Sequence, residues 1–169
     1  MKTLVIHPYD ETTQFLSPIY LNKDWTIINH NPSKKELREG IKSHDRIIML
    51  GHGCKAGLYG YNYLVIDSTY VQFLRGKHCV AVWCNANEFV EKYRLTGFYT
   101  GMIISEIDES YSYCVKCTYG DIEESNKLFS DALSSSIDSY NMVDSVLLKY
   151  KTVLNPIIKF NRNNIFSNY

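Results

Sequence analysis

Arg46-Ile47-Ile48-Met49-Leu50-Gly51-His52-Gly53 and His78-Cys79-Val80-Ala81-Val82-Trp83-Cys84 are the two stretches whose reading decides the fold. Each is a short apolar run that ends in a reactive side chain. Runs of this length and composition are expected of strands buried on both faces. Between them lies a Gly/Tyr-rich turn and then a helix-like stretch, so the two strands are expected to be parallel neighbours in one sheet. Parallel neighbours bring their carboxyl ends to the same edge, where open α/β sheets keep their sites. His52 and Cys84 are therefore expected to meet there, a thiol beside an imidazole being a nucleophile with its base.

Working outward, Thr3 to His7 reads as a strand stopped by Pro8, and Trp25 to Asn29 as a second. Ser33-Lys34-Lys35-Glu36 is a capping-box pattern opening a helix to Ser43, with Leu37 and Ile41 on its inner face. Leu58 to Ile66 reads as a hairpin, Asp67 or Ser68 as the cap of a helix to Arg75, and Asn87 to Arg94 as a helix ended by Gly97. Phe98 to Ile104 reads as a strand. Glu106 to Cys117, Ile122 to Ser136 and Ser139 to Tyr150 have helical periodicity, and Pro156 to Phe160 reads as a last strand. Strands alternating with helices predict an α/β fold of three layers, flavodoxin-like, with a mostly parallel central sheet flanked by helices. The strand ending at His7 is expected near the sheet centre, beside the one ending at His52. With no internal repeat or linker, residues 1–169 read as a single domain.

Net charge is zero and there is no basic run, so the composition gives no footprint for nucleic acid or an anionic membrane. No apolar stretch approaches the roughly 20 residues that span a bilayer, and Met1 to His7 is too short an apolar start for a signal peptide. The five cysteines are irregularly spaced, which does not resemble a disulfide framework and points to a reducing, cytoplasmic setting.

A catalytic thiol works as the thiolate, and a free cysteine ionises only near a pKa of about 8.5, so the site is expected to favour the anion. His52 can do so and can later protonate a leaving amine. Gly53, lacking Cβ, allows its amide close to a bound carbonyl, and with the Cys84 amide it makes a candidate oxyanion hole. A helix starting after Asn85-Ala86-Asn87 is expected to depress the Cys84 pKa further. Against this stands the general rule that cysteines are commonly buried core residues.

A strand into His-Gly followed by a strand into Cys resembles the caspase-like cysteine peptidases. The matching residues are Ile47 to Gly53 and Val80 to Cys84. The resemblance implies His52 as acid/base, Cys84 as nucleophile, and an oxyanion hole from the Gly53 and Cys84 amides. It also implies a specificity pocket built from the loop after the first strand, the residue before the nucleophile, and the loop after the next strand. Here those places hold Asp10 and Glu11, then Trp83, then Glu106 and Asp108. Carboxylates there favour lysine or arginine at the cleaved position. The implied substrate is a protein or peptide, with no cofactor and no metal. The late helices, Ile122 to Tyr150, are candidates to dock an activating partner or a second copy of the chain.

Other groupings carry less chemistry. Cys114-Val115-Lys116-Cys117 has CxxC spacing but no second ligand pair. Cys54 is a rival thiol beside His52, Cys79 reads as core, and His7 as packing. His30, His44 and His78 show no ligand spacing, and Gly51-His52-Gly53 is not a phosphate loop. Two other functions remain open: a catalytically inactive binding or signalling module on the same fold, and a thiol hydrolase or acyltransferase acting on a non-peptide ester or amide.

Overall fold

The computed structural model describes residues 1–169. The chain opens with β1 (Thr3–Ile6), a 3-10 helix (Glu11–Ile19), β2 (Thr26–Ile28), α1 (Lys34–Ser43) and β3 (Arg46–Leu50). A small antiparallel unit follows, β4 (Gly53–Cys54), β5 (Gly57–Gly60) and β6 (Tyr63–Ile66). Next come a 3-10 turn (Ser68–Tyr70), α2 (Val71–Leu74), β7 (His78–Val82), α3 (Ala86–Tyr93) and β8 (Thr96–Thr100). The rest is α4 (Ile107–Ser112), α5 (Tyr119–Ser134), α6 (Met142–Lys149), α7 (Pro156–Arg162) and β9 (Ile165–Asn168).

The main sheet runs β2-β1-β3-β7-β8-β9, all parallel except the last pair. The central pair is β3 and β7; β1, expected near the centre, lies second from the edge. Alternate side chains serve opposite faces. Ile47 and Met49 of β3 and Cys79 and Ala81 of β7 pack with Leu37 and Ile41 of α1, Leu74 of α2 and Phe89 of α3. Ile48, Leu50, Val80 and Val82 face the other way, onto Phe129 and Leu133 of α5, Val146 of α6 and Leu16 of the first 3-10 helix. Both faces are thus covered, and the architecture is an α/β sandwich of three layers with a mostly parallel sheet, as the alternating strands and helices require. No helix is long and apolar enough to cross a membrane.

Several boundaries depart from the reading of the sequence. Ser33 does cap α1, accepting from the Glu36 amide at 3.1 Å, but Glu36 pairs with His30 at 2.8 Å instead of closing the box. α3 ends on Arg94, itself left-handed at φ 53°, and not on Gly97. Gly97 lies inside β8 at φ +138°, where a Cβ would fall 1.8 Å from the Cys79 carbonyl oxygen; it is there for close strand approach. The helix expected over Glu106 to Cys117 stops at Ser112, with Cys114 left-handed beyond it. Pro156 to Phe160 is helix, not strand. Asn155 accepts from the amides of Ile157 and Ile158, and Pro156 occupies the first turn, where its missing N–H costs nothing. The edge strand is β9 instead.

Two buried polar residues tie the layers together. Arg46 is 3% exposed and donates to Thr3, the Ile137 carbonyl and Asp138, the last at 2.7 Å. His7 is 1% exposed, between the Tyr20 hydroxyl at 2.9 Å and Thr13 Oγ1 at 3.1 Å. It packs, as expected, and does not line the cleft. Burial lowers its pKa to about 4. The unfolded chain therefore binds a proton that the folded chain refuses. The neutral ring's contribution is complete above about pH 6.5 and is lost as pH falls toward 4, on the order of 3 kcal/mol. Urea unfolding from pH 7 to 4 is expected to show this loss in the wild type and a shallower slope in His7→Gln; parallel slopes would contradict it.

Candidate active site

Leu50 of β3 pairs with Val82 of β7 in register. His52 and Cys84 each follow two residues later, so they leave the sheet side by side, across one inter-strand spacing of about 4.8 Å. Gly51 continues the pairing through its amide to the Val82 carbonyl at 3.1 Å. Both side chains line one small cavity together with Phe15, Trp83, Ile103 and Ser105.

His52 is oriented by a relay from the loop after β1. Its Nε2 lies 2.6 Å from Thr12 Oγ1, which is 2.7 Å from Asp10 Oδ1. Asp10 also caps the 3-10 helix by accepting the Thr12 amide at 2.9 Å. The Thr12 hydrogen bond, with further help from the His52 and His7 charges, holds the Asp10 carboxyl below its ordinary range. An ionised carboxylate can only accept, so the single Thr12 hydroxyl proton goes to Asp10. His52 must then donate from Nε2, and in the neutral ring Nδ1 is the bare nitrogen. Asp10 Oδ1 and Glu106 Oε1 stand 3.8 and 3.9 Å from Nε2.

The thiol is not held as an anion. Cys84 Sγ donates to the Ile103 carbonyl at 3.6 Å and lies 3.9 Å from Glu109 Oε1. Burial first, and then the Glu109 charge, push its pKa up to about 11. Glu109 is fixed: its other oxygen accepts the Ser105 and Glu106 amides at 2.7 and 3.1 Å, forming the capping box of α4. The expected depression by a helix amino terminus is outweighed by this desolvation and like charge. The shared cavity is about 20 Å³, room for about one water. On the Met102–Glu106 side, the Ile103 carbonyl accepts from the thiol, and Ile103 and Ser105 line the cavity.

The other expected residues fall out unevenly. The Cys84 amide donates to no protein acceptor, whereas the Asn85 and Ala86 amides are used by the Gly101 and Trp83 carbonyls. It is therefore available to an oxyanion. Gly53 lies under the Trp83 indole, where a Cβ would stand 2.2 Å from Cδ1. Trp83 is 2% exposed, donates from Nε1 to the Cys54 carbonyl at 3.0 Å and packs on Phe89, so it offers a substrate little surface. Asp108 is exposed in the first turn of α4, away from the cavity, and Glu11 is exposed as well. Thr12 and Glu109 escaped the sequence reading. The signals were the Asp-x-Thr start of a capped turn and Glu106-x-x-Glu109 as a box.

Cys54 is the more acidic thiol. Burial raises its pKa, but the Tyr59 hydroxyl and the Ala56 amide, each 3.3 Å away, together with Gly57 and Lys55, leave it lowered. Cys114 and Cys117 are free thiols, and no three His, Cys, Asp or Glu side chains gather as a metal site.

No protein-family model matches the chain, and no curated protein matches it. Among solved structures it is similar to Smu.1420 from Streptococcus mutans UA159, at 13% identity and a TM-score of 0.30, over 96% of this chain and 100% of that one. A likeness of that strength bears on neither fold nor activity.

Iodoacetamide labelling at pH 7.5, read by peptide mass spectrometry, is expected to modify Cys54 about tenfold or more faster than Cys84, following their thiolate fractions. Glu109→Gln should move the Cys84 labelling midpoint to lower pH. Equal rates at the two cysteines, or an unmoved midpoint, would refute this electrostatic picture.

Proposed function

We propose that the chain is a cysteine endopeptidase of caspase-like type, with Cys84 as nucleophile and His52 as acid and base. The observation that carries this reading is the in-register exit of both residues from adjacent parallel strands into one cavity. The parallel sheet with helices on both faces is consistent with it, and so is the unpaired Cys84 amide at the place where an oxyanion would form.

The chemistry requires the Met102–Glu106 segment to move aside from the sulfur. When a substrate peptide displaces Met102 to Glu106, the sulfur leaves the Ile103 carbonyl and the Glu109 carboxylate. The thiol proton then passes to His52, and the resulting imidazolium is stabilised by Asp10 through Thr12 and by Glu106. Sγ forms a bond to the peptide carbonyl carbon while the C=O π pair moves to oxygen, held by the Cys84 and Gly53 amides. Collapse breaks the C–N bond, and His52 gives its proton to the leaving amine. Water, deprotonated by His52, then cleaves the thioester and restores the thiol. Asp10 thus acts mainly on His52. Glu106, partly exposed beside the ring, is the carboxylate better placed to favour lysine or arginine at the cleaved position.

The closed cavity and protonated thiol also fit a second reading, a binding module in which Cys84 packs. Cys84→Ala separates the two, since a binding module keeps its function and a peptidase loses it.

With fluorogenic peptides ending in Arg, Lys, Asp or Asn, the first two are expected to be turned over best. His52→Ala should lower kcat/KM by roughly 10²–10⁴. Thr12→Val, which breaks the relay, should lower kcat more than it changes KM. No turnover of any peptide, or equal turnover of all four, would count against the activity or its specificity respectively.

A further inference from the structure

A second concavity opens on the other flank of His52. It has a volume of about 400 Å³ and is lined by Tyr9, Asp10, His52, Tyr59, Tyr61 and Asn62 among others. Cys84 does not reach it; the cavity that holds the sulfur is separate. His52 alone belongs to both.

We infer that this groove receives the leaving-group segment of the substrate, the residues on the amine side of the cleaved bond, and that it selects a cationic residue there. The inference rests on the His52–Cys84 reading. In that chemistry the acyl half stays bonded to sulfur while the amine half departs with a proton from the imidazole. The departing amine must therefore lie beside Nδ1, near the sulfur, and the chain that follows it can run past the ring into this groove.

The lining states the preference. Asp10 is the groove's only carboxylate, and no lysine or arginine lines it. The Asp10 charge is secured by Thr12 through Oδ1, which leaves Oδ2 without a protein partner. Tyr9 and Tyr59 are 62% and 45% exposed, presenting ring surface that an arginine or lysine side chain can stack on.

The wall is also built rather than incidental. Tyr61 and Asn62 form the β5–β6 turn with φ of 54° and 68°, a left-handed pair that glycine and asparagine adopt far more readily than tyrosine. Tyr61 stays there because its hydroxyl donates to the Asn29 carbonyl at 2.8 Å and accepts the Tyr9 amide at 3.3 Å. One strained residue thus pins the hairpin tip to the loop after β1 and holds the groove open.

The test reads binding, not turnover. The full chain carrying Cys84→Ala, labelled with ¹⁵N, is titrated with Arg-Gly-amide, Ala-Gly-amide and Glu-Gly-amide, which mimic released amine-side products. The expected shifts fall on the amides of Tyr9, Asp10 and residues 59–62. Arg-Gly-amide should bind about three- to tenfold tighter than Ala-Gly-amide, and Glu-Gly-amide weakest. Tyr9→Arg changes an exposed side chain and should weaken Arg-Gly-amide about tenfold while leaving Ala-Gly-amide within about twofold. Equal affinities for the three peptides, or shifts centred elsewhere, would overturn the inference. Because the titrated chain has no nucleophile, that failure concerns the groove alone, whereas absent turnover by the wild type concerns the dyad alone.

Discussion

The pairing of β3 with β7 in parallel register is the constraint on which the site depends. Every residue of β3 is buried, and all of β7 but His78. Their alternate side chains belong to two separate cores. A slip of one residue would exchange the two sets, driving Ile47 and Met49 into the space shaped for Ile48 and Leu50. Register is therefore enforced from both faces. The relative position of His52 and Cys84 follows from that enforcement, each lying two residues past the paired Leu50 and Val82. Core packing, not a local motif, brings the imidazole and the thiol to the same sheet edge.

The two halves of the dyad are prepared differently. The Asp10–Thr12 relay fixes which nitrogen of the neutral His52 ring holds the proton, and the Asp10 and Glu106 carboxylates stand 3.8 and 3.9 Å from that same Nε2. Cys84 is held back by burial and by a carboxylate latched in a helix cap. In the proposed mechanism, displacing the Met102–Glu106 segment would reverse both penalties at once, because it hydrates the sulfur and removes it from Glu109. In that proposal reactivity is tied to occupancy of the site, while Cys54 stays acidic in the neighbouring turn.

The parts of this arrangement that show in the sequence are those governed by short-range pattern. Continuous apolar runs marked β3 and β7, the Ser33 cap marked α1, and reactive residues at strand ends marked the site. What stayed hidden depended on tertiary context. Pro156 to Phe160 suits a strand by composition, and the Asn155 cap that makes it a helix acts through the Ile157 and Ile158 amides of the folded chain. In the loop between β1 and β2 the relay exists only in the folded chain: Asp10, a candidate substrate contact in the sequence, also orients His52 through Thr12. Trp83, at a position expected to shape a pocket wall, lines the small cavity with Cys84 while most of its surface packs over Gly53 and Phe89. The elevated thiol pKa was also beyond reach, since desolvation and the approach of Glu109, 25 residues away in sequence, exist only in the folded chain.

The most direct measurement is covalent trapping. The chain is incubated with an arginine-bearing peptidyl acyloxymethyl ketone, which a thiol attacks only when its carbonyl is seated as a substrate's would be, and the adduct is mapped by mass spectrometry. This account expects one adduct, on Cys84, that forms in the wild type and is lost in His52→Ala. An adduct on the more acidic Cys54, or on Cys84 at an undiminished rate without His52, would contradict it.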